Sequence, residues 1–123
     1  MWSNRIFVDD IATAVLRLAE PDVQGGTFLA CDDHPFQVVD MVRFACETLK
    51  LDMPPAVTIH EVPERVRPFW QGDRRCSTDA LLALGWKPRF PSFREGLIES
   101  WRREDREETA RSSSNITPQG ENE

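Results

Sequence analysis

Apolar residues recur at helical spacing in two segments of the first half of the chain. Residues 9–20 place three of them at i, i+4 and i+7, namely Ile11, Val15 and Leu18. Residues 37–49 place four on one face, namely Val38, Val42, Ala45 and Leu49. Asp9 or Asp10 is suited to cap the first segment, and Asp40 lies early in the second, where a negative charge suits the helix dipole. The pattern predicts two amphipathic helices.

Three shorter runs have the composition of β-strands. Residues 5–8 (RIFV) and 27–31 (TFLAC) are mostly apolar, and residues 56–62 (AVTIHEV) alternate between apolar and polar positions. The run at 27–31 is apolar on both faces, as in a strand with neighbours on each side and helices above and below. Strands and helices therefore alternate along the chain, which predicts an α/β fold.

The stretch GDRRCSTDALLALGWKPRFPSFREGL contains two predicted helix starts with a stop between them. Ser77 is suited to cap the first helix, and Gly85 occupies the position after it that requires a positive φ. Trp86 is expected to fold back against the helix end. Ser92 and Glu95 have the spacing of a capping box, which predicts a last helix reaching at least to Trp101.

Length and composition predict one domain followed by a tail. The chain has 123 residues, enough for a modest core, and its patterned part ends near residue 107. Residues 108–123 are polar and lack aromatic residues, so we expect them to be disordered. The predicted division is therefore a domain over 1–107 and a tail over 108–123.

The net charge and the length of the apolar runs argue against nucleic-acid and membrane partners. The formal net charge of −6 gives nucleic acid no long-range reason to approach. No apolar run is long enough to cross a membrane, and the first residues lack the apolar core of a secretory signal. We therefore expect a cytoplasmic protein with neither a nucleic-acid nor a membrane partner.

Cysteines, histidines, tyrosines and glycines restrict the chemistry further. The three cysteines and two histidines have no ligand-like spacing, so we expect reduced thiols and no metal site. There is no tyrosine, and the six glycines do not form a G-x-G-x-x-G or Walker motif. The chain therefore lacks a recognisable cofactor loop, and we expect no cofactor to bind to it alone.

Three segments in register carry a resemblance to a known family: NRIFVDDIATAV, GGTFLACDDHPFQVVDMVRFACETL and VRPFWQGDRRCSTDALLALGWKPRFPSFREGL. Over roughly residues 4–101 the chain resembles the C-terminal part of an extended short-chain dehydrogenase/reductase of the NAD-dependent epimerase/dehydratase type, in particular the sugar-nucleotide-epimerase-like branch. That branch has R-I-H-V-D-D, Y-N-V-x-D-D and L-G-W-x-P-x-Y-P in this order. Phe7 replaces the histidine and Phe28–Leu29 replaces the Tyr-Asn pair.

The resemblance implies the C-terminal segment of a Rossmann-like fold without its N-terminal dinucleotide-binding half. In the family, the Gly-rich turn that binds NAD or NADP and the catalytic Tyr-x-x-x-Lys pair precede the matched segment. We therefore expect no catalytic residue here, and a partial, substrate-side protein of sugar-nucleotide type that is not competent alone. A complementary N-terminal Rossmann domain, or a second copy of the chain, is the implied partner. The alternatives are a free-standing binding or regulatory module and a structural subunit that completes a Rossmann-like partner.

The same resemblance assigns substrate-binding positions to Arg67 and Arg75, which would grip an anionic small molecule. The other interpretation is a solvated basic loop whose arginines pair with Glu61, Glu64 or Asp73.

Three further clusters have residue types found in catalytic sites, and each has a structural explanation. The adjacent Asp9 and Asp10 diverge on a helix and suit its N-terminus better than paired acid/base catalysis. The Asp32–Asp33–His34 cluster is typical of a strand-to-helix turn, although the family places it near the substrate cleft. Cys31, although close to His34 in the sequence, is expected to be a core thiol.

Overall fold

The computed structural model describes residues 1–114, of which about half are helical. Two strands form its sheet, β1 (Trp2–Ser3) and β2 (Phe36–Gln37). The α-helices are α1 (Val8–Leu18), α2 (Val38–Leu49), α3 (Arg67–Trp70), α4 (Asp79–Ala83) and α5 (Phe93–Ser114), with a 3-10 turn at Glu64–Val66 before α3.

The sheet is a single antiparallel pair that ties the N-terminus to the start of α2. Trp2 lies opposite Gln37 and Ser3 opposite Phe36, and an isolated bridge joins Trp2 to Asp73. The runs predicted as strands at 5–8, 27–31 and 56–62 form no ladder within residues 1–114. One main-chain hydrogen bond, from Asp32 N to Arg5 O at 2.8 Å, links the first two of these runs.

Helix α1 begins earlier than the sequence indicated. Its first residue is Val8 and its N-cap is Phe7, so Asp9 and Asp10 lie in the first turn rather than at the cap. The predicted capping by Asp9 or Asp10 is therefore wrong. Asp10 is buried and bonds to another part of the chain, which leaves it unavailable to the N–H groups of its own helix.

The core lies between α1 and α4. Ala14, Leu81 and Trp86 form its buried centre. Ile6, Leu18, Phe28 and Leu82 pack around them. Gly85 ends the α4 segment with φ +84°, which confirms the predicted stop, and Trp86 folds back to be buried as expected.

A second, aromatic contact joins β2 and α2 to α5. The rings of Phe36 and Phe93 lie 4.7 Å apart, and Phe44 lies 5.8 Å from Phe93 and 6.4 Å from Trp101. Aromatic pairs at these separations add to the stability gained from burial. They fix the position of the first turns of α5, and a cavity lies beside these turns.

Helix α5 is longer than predicted. It runs to Ser114, so residues 108–114, which the sequence assigned to a disordered tail, are helical and exposed. Arg111 lies 3.4 Å from Glu107 one turn earlier, and Thr109 donates to the carbonyl of Asp105 at 2.8 Å. Such local contacts extend a helix without tertiary packing. The rest of the predicted tail, 115–123, lies outside the described residues.

Candidate functional site

The loop that carries the predicted substrate-binding arginines is organised by Arg67. Its Nε donates to the carbonyl of Val62 at 2.8 Å, and its Nη2 donates to the carbonyl of His60 at 3.0 Å. Both acceptors are main-chain groups of the turn before α3. Arg67 therefore holds the loop in shape and pairs with neither Glu61 nor Glu64.

Arg75 is engaged by its neighbour Asp73. Two parallel hydrogen bonds, Nε to Oδ1 at 2.9 Å and Nη2 to Oδ2 at 2.7 Å, form a bidentate pair, and the guanidinium lies 5.2 Å from the ring centre of Trp2. Both side chains are more than half exposed, so the pair contributes little to stability and can open. This geometry matches the solvated-loop interpretation, while leaving Arg75 accessible to an external anion.

Arg74 lies beside Arg75 in the same loop. Its guanidinium lies 5.5 Å from the ring centre of Phe69, and it makes no side-chain hydrogen bond with any described residue. Phe69 and the adjacent Trp70 are both exposed. Arg67 and Arg75 thus share a loop whose outer surface is aromatic and cationic.

A polar stripe on α1 binds the turn between α4 and α5. The buried Asp10 carboxylate accepts from the main-chain N–H groups of Arg89 and Phe90, at 2.8 and 2.9 Å. The indole of Trp86 donates to Thr13 Oγ1 at 3.0 Å. One turn further on, Arg17 donates to the carbonyl of Leu84 at 2.8 Å. The sequence signal for this stripe was polar residues at i, i+3 and i+7 within an otherwise apolar helix.

The apolar stripe of α1 consequently faces away from the described core. Val8, Val15 and Leu16 are 64, 60 and 68% exposed, and Ile11 is 43% exposed. The prediction that Ile11 and Val15 form the buried face is therefore wrong, while Leu18 is partly buried as predicted. We call Val8, Ile11, Val15 and Leu16 the open face of α1. An exposed apolar set of this kind marks an interaction surface.

Residues 27–31 present an unpaired main-chain edge. None of their N–H groups donates a hydrogen bond within residues 1–114, and of their carbonyls only that of Leu29 accepts one, from Thr78 Oγ1 at 2.9 Å. The side chain of Leu29 is 54% exposed. Beside this edge, Asn4 Nδ2 is buried without a partner among the described residues. An edge of this kind is a template for pairing with another strand.

The Asp32–Asp33–His34 cluster is a tight turn. His34 N donates to Asp32 Oδ1 at 3.0 Å, and Asp33 adopts φ +64°, a left-handed conformation that aspartate and asparagine tolerate. His34 Nδ1 lies 3.2 Å from the carbonyl of Asp32. The turn that the sequence favoured is therefore present, although the run before it forms no strand within the described residues.

The thiol of Cys31 is not paired with His34. It donates to the carbonyl of Cys76 at 3.7 Å, and burial raises its pKa above the ordinary value. A thiol kept protonated by burial is a poor nucleophile. The sequence expectation of a core thiol agrees with this position. Among residues 1–114, no group of His, Cys, Asp or Glu side chains is arranged to hold a metal ion.

The glycines of residues 1–114 do not fit a dinucleotide. Gly25 and Gly26 precede no helix, Gly85 ends one, and Gly96 lies inside α5, where an added Cβ would be 3.2 Å from the ring of Phe7. A pyrophosphate requires main-chain N–H groups presented at the start of a helix after a Gly-rich turn. The described residues supply none.

No protein-family model matches the chain, and no curated protein matches it. A solved structure does: a functionally unknown conserved protein from Silicibacter pomeroyi is 31% identical over 80% of this chain, with a TM-score of 0.71. The chain spans 36% of the length of that protein. Across the described residues, no helix combines the length and apolar character required to cross a membrane. The chain thus shares its fold with part of a larger protein whose function is unknown.

Proposed function

We propose that the chain is the substrate-side, C-terminal segment of an NAD-dependent epimerase/dehydratase-like protein and that it works only when joined to a dinucleotide-binding domain. In this proposal the partner supplies the cofactor site and the catalytic Tyr and Lys. This chain supplies part of the wall around an anionic substrate of sugar-nucleotide type. The protein acts in the cytoplasm, with its three thiols reduced.

The observation that carries the proposal is the orientation of α1. A helix with an apolar and a polar stripe normally buries the apolar one, because removing apolar surface from water is the main driving force of folding. Here Asp10, Thr13 and Arg17 bond to the α4–α5 turn. Asp10 and Ala14 are buried, and the open face is left to solvent. A partner that places apolar residues on the open face would bury the apolar stripe of α1 as well.

The unpaired edge at 27–31 supports the same partner. An apolar run that leaves its main chain unpaired is stabilised when a neighbouring strand supplies the missing hydrogen bonds. A strand and an adjoining helix layer are what a Rossmann-like domain offers. The match to part of a larger chain supports a partner of that size.

The substrate side of the proposal rests on the loop around α3. Arg67 shapes this loop through its two carbonyl contacts, and Arg75 can exchange the exposed Asp73 for a phosphate. Arginine binds both groups in the same bidentate geometry, so the exchange requires little rearrangement. Replacing Arg75 with Ala should weaken nucleotide-sugar binding by the assembled protein, and the fold should be unaffected.

The experiment compares the chain alone with the chain mixed with an epimerase/dehydratase whose equivalent C-terminal segment has been deleted. Alone, the chain should bind an apolar dye, self-associate in sedimentation, and give no heat with NAD in calorimetry. Mixing should yield one defined complex that binds NAD. A compact monomer that binds no dye would contradict the proposal and favour the free-standing module. Assembly with a partner but without dinucleotide binding would favour the structural subunit.

A further inference from the structure

A cavity of about 330 Å³ lies where the turn after residue 31 meets the first turns of α5. Its volume is at the lower end of the range for small-molecule sites. The greater part of its wall is apolar and comes from Ile6, Phe7, Met41, Phe93 and Leu97. The open face of α1 lies elsewhere, and Asp32 directly follows the unpaired edge at 27–31, but every residue that lines the cavity belongs to this chain.

Asp32 brings a carboxylate to this apolar wall. Its side chain is 1% exposed and lines the cavity. Oδ1 accepts from His34 N, whereas Oδ2 accepts no hydrogen bond from any described residue. Burial raises the pKa of this carboxyl above its ordinary value.

No cation of residues 1–114 lies within ion-pair distance of Asp32. Arg5 lines the same cavity, but its side chain is exposed and forms no such pair in the described structure. A buried carboxylate without a counter-charge is costly, and the cost is relieved when a cation is brought to it. The cavity is open to such a cation.

Apart from Arg5, the other polar side chains of the cavity wall are the hydroxyls of Ser92 and Ser100. Ser92 donates its hydroxyl proton to Glu95, and Ser100 donates its own to the carbonyl of Gly96 at 3.0 Å. A hydroxyl can accept as well as donate, so Ser100 Oγ can still accept, and Ser92 Oγ, which accepts from Arg94 N at 3.3 Å, has one lone pair left. A ligand that satisfies this wall therefore needs several donors and a positive charge.

We propose that this cavity binds a small primary amine with an apolar body, its ammonium group on Asp32 and its body against the apolar wall. The ammonium carries three N–H donors and the missing counter-charge. The apolar body displaces water from the aromatic and aliphatic side chains, which supplies the rest of the affinity. The site is independent of the proposed assembly with a dinucleotide-binding domain.

The test uses benzylamine as the probe and ligand-observed saturation-transfer NMR of the full chain, which works for self-associated as well as monomeric protein. Benzylamine should bind, and benzyl alcohol, of the same shape but neutral, should bind roughly tenfold more weakly. Asp32→Asn, which keeps the acceptor for His34 N, should weaken benzylamine binding roughly tenfold or more. Asp33→Asn makes the same charge change on an exposed neighbour and should leave binding unchanged.

A second variant keeps the test informative if Asp32→Asn does not fold. Ser100→Leu fills the cavity and leaves Asp32 in place, and it should also abolish binding. Circular dichroism of each variant establishes that it is folded. The proposal is overturned if benzylamine does not bind the parent chain, if Asp32→Asn and Asp33→Asn bind it equally, or if the folded Ser100→Leu variant still binds it as tightly as the parent.

Discussion

The indole N–H of Trp86 donates a 3.0 Å hydrogen bond to the hydroxyl of Thr13, 73 residues earlier in the chain. Thr13 in turn donates to the carbonyl of Asp10, three residues before it on α1. Asp10 accepts from the turn that follows Trp86. These bonds fix α1 against the α4–α5 turn with its polar stripe inward, and the exposure of the apolar stripe follows from them.

Replacing Asp10 with Ala should destabilise the chain by about 3 kcal/mol, because two buried main-chain donors lose a charged acceptor. Asp10→Asn should destabilise the chain less, since its single amide oxygen can still accept from one of the two main-chain N–H groups. Urea unfolding followed by circular dichroism measures both. Asp9→Asn is the matched control, because that partly exposed neighbour pairs only with Arg103 among residues 1–114, and it should shift the midpoint little. Equal midpoints for Asp9→Asn and Asp10→Ala would contradict the role given to Asp10.

Gly85 is the second position where a small change should be costly. Its φ of +84° is strained for any residue with a Cβ, although the space around it is open. Gly85→Ala should therefore cost about 1 kcal/mol from backbone strain alone. Gly25 also has open space but no positive φ, so Gly25→Ala should be neutral or slightly stabilising. Thermal unfolding of the two variants separates strain from crowding, and equal losses would rule strain out.

Sequence reasoning succeeded where one residue type decides the local structure. Gly85 ends α4 with a positive φ, Ser92 begins α5, and α2 has nearly its predicted bounds. It failed for α1, because periodicity locates an apolar stripe without saying which stripe packs inward. Which stripe packs inward is set by the polar groups of the α4–α5 turn, which need hydrogen-bond partners. These groups can be identified only once residues 84–90 are known to lie beside α1.

The same limit applies to strands and to the candidate site. A β-prone run such as 27–31 needs a neighbour to become a strand, and within residues 1–114 its main chain forms one hydrogen bond, to the side chain of Thr78, and no main-chain pair. The family resemblance suggested Arg67 and Arg75, but not that Arg67 is bound to the carbonyls of its own loop. The role of these arginines toward a substrate remains a prediction.

Asp32 should make stability depend on pH in the direction opposite to an ordinary paired carboxylate. Its pKa is raised above 3.8 in the folded state by burial, so the folded state binds the proton more tightly than the unfolded state. Its contribution to stability therefore falls as pH rises from 3.8 through the raised value, and is least above that value. Asp32→Asn removes this penalty and should be the more stable form at neutral pH.

The measurement is the difference in urea midpoint between Asp32→Asn and the parent chain from pH 7 downwards. The difference should narrow as pH falls, because Asp32 of the parent becomes protonated. Glu95 and Glu99 have lowered pKa values, so their protonation at low pH destabilises both proteins by the same amount. Taking the difference between the two urea midpoints removes this shared loss. A difference that stays constant with pH would show that Asp32 does not titrate with a raised pKa.

The three thiols should differ in reactivity. Cys31 and Cys46 are buried, and burial raises the pKa of Cys31, whereas Cys76 is partly exposed. Iodoacetamide should therefore label Cys76 first under native conditions, because thiolate fraction and access both set the rate. Mass spectrometry of peptides from timed samples gives the order, with urea-unfolded protein as the control in which all three react. Early labelling of Cys31 would contradict its place in the core.

Leu16 is the residue of choice for testing the open face of α1, since it is 68% exposed and no described core contact depends on it. Leu16→Glu should leave the folding of the chain unchanged, reduce dye binding and self-association, and weaken docking to the dinucleotide-binding domain. Burying a leucine contributes about 2 kcal/mol and burying an unpaired carboxylate costs more, so the association constant should fall at least about tenfold. Ile98→Glu is the matched control, an apolar-to-acidic change at a 51% exposed position of α5. Sedimentation equilibrium of the two variants measures their association constants. A docking surface on α1 predicts weaker association for Leu16→Glu alone. General repulsion between acidic chains would instead weaken the association of both variants alike.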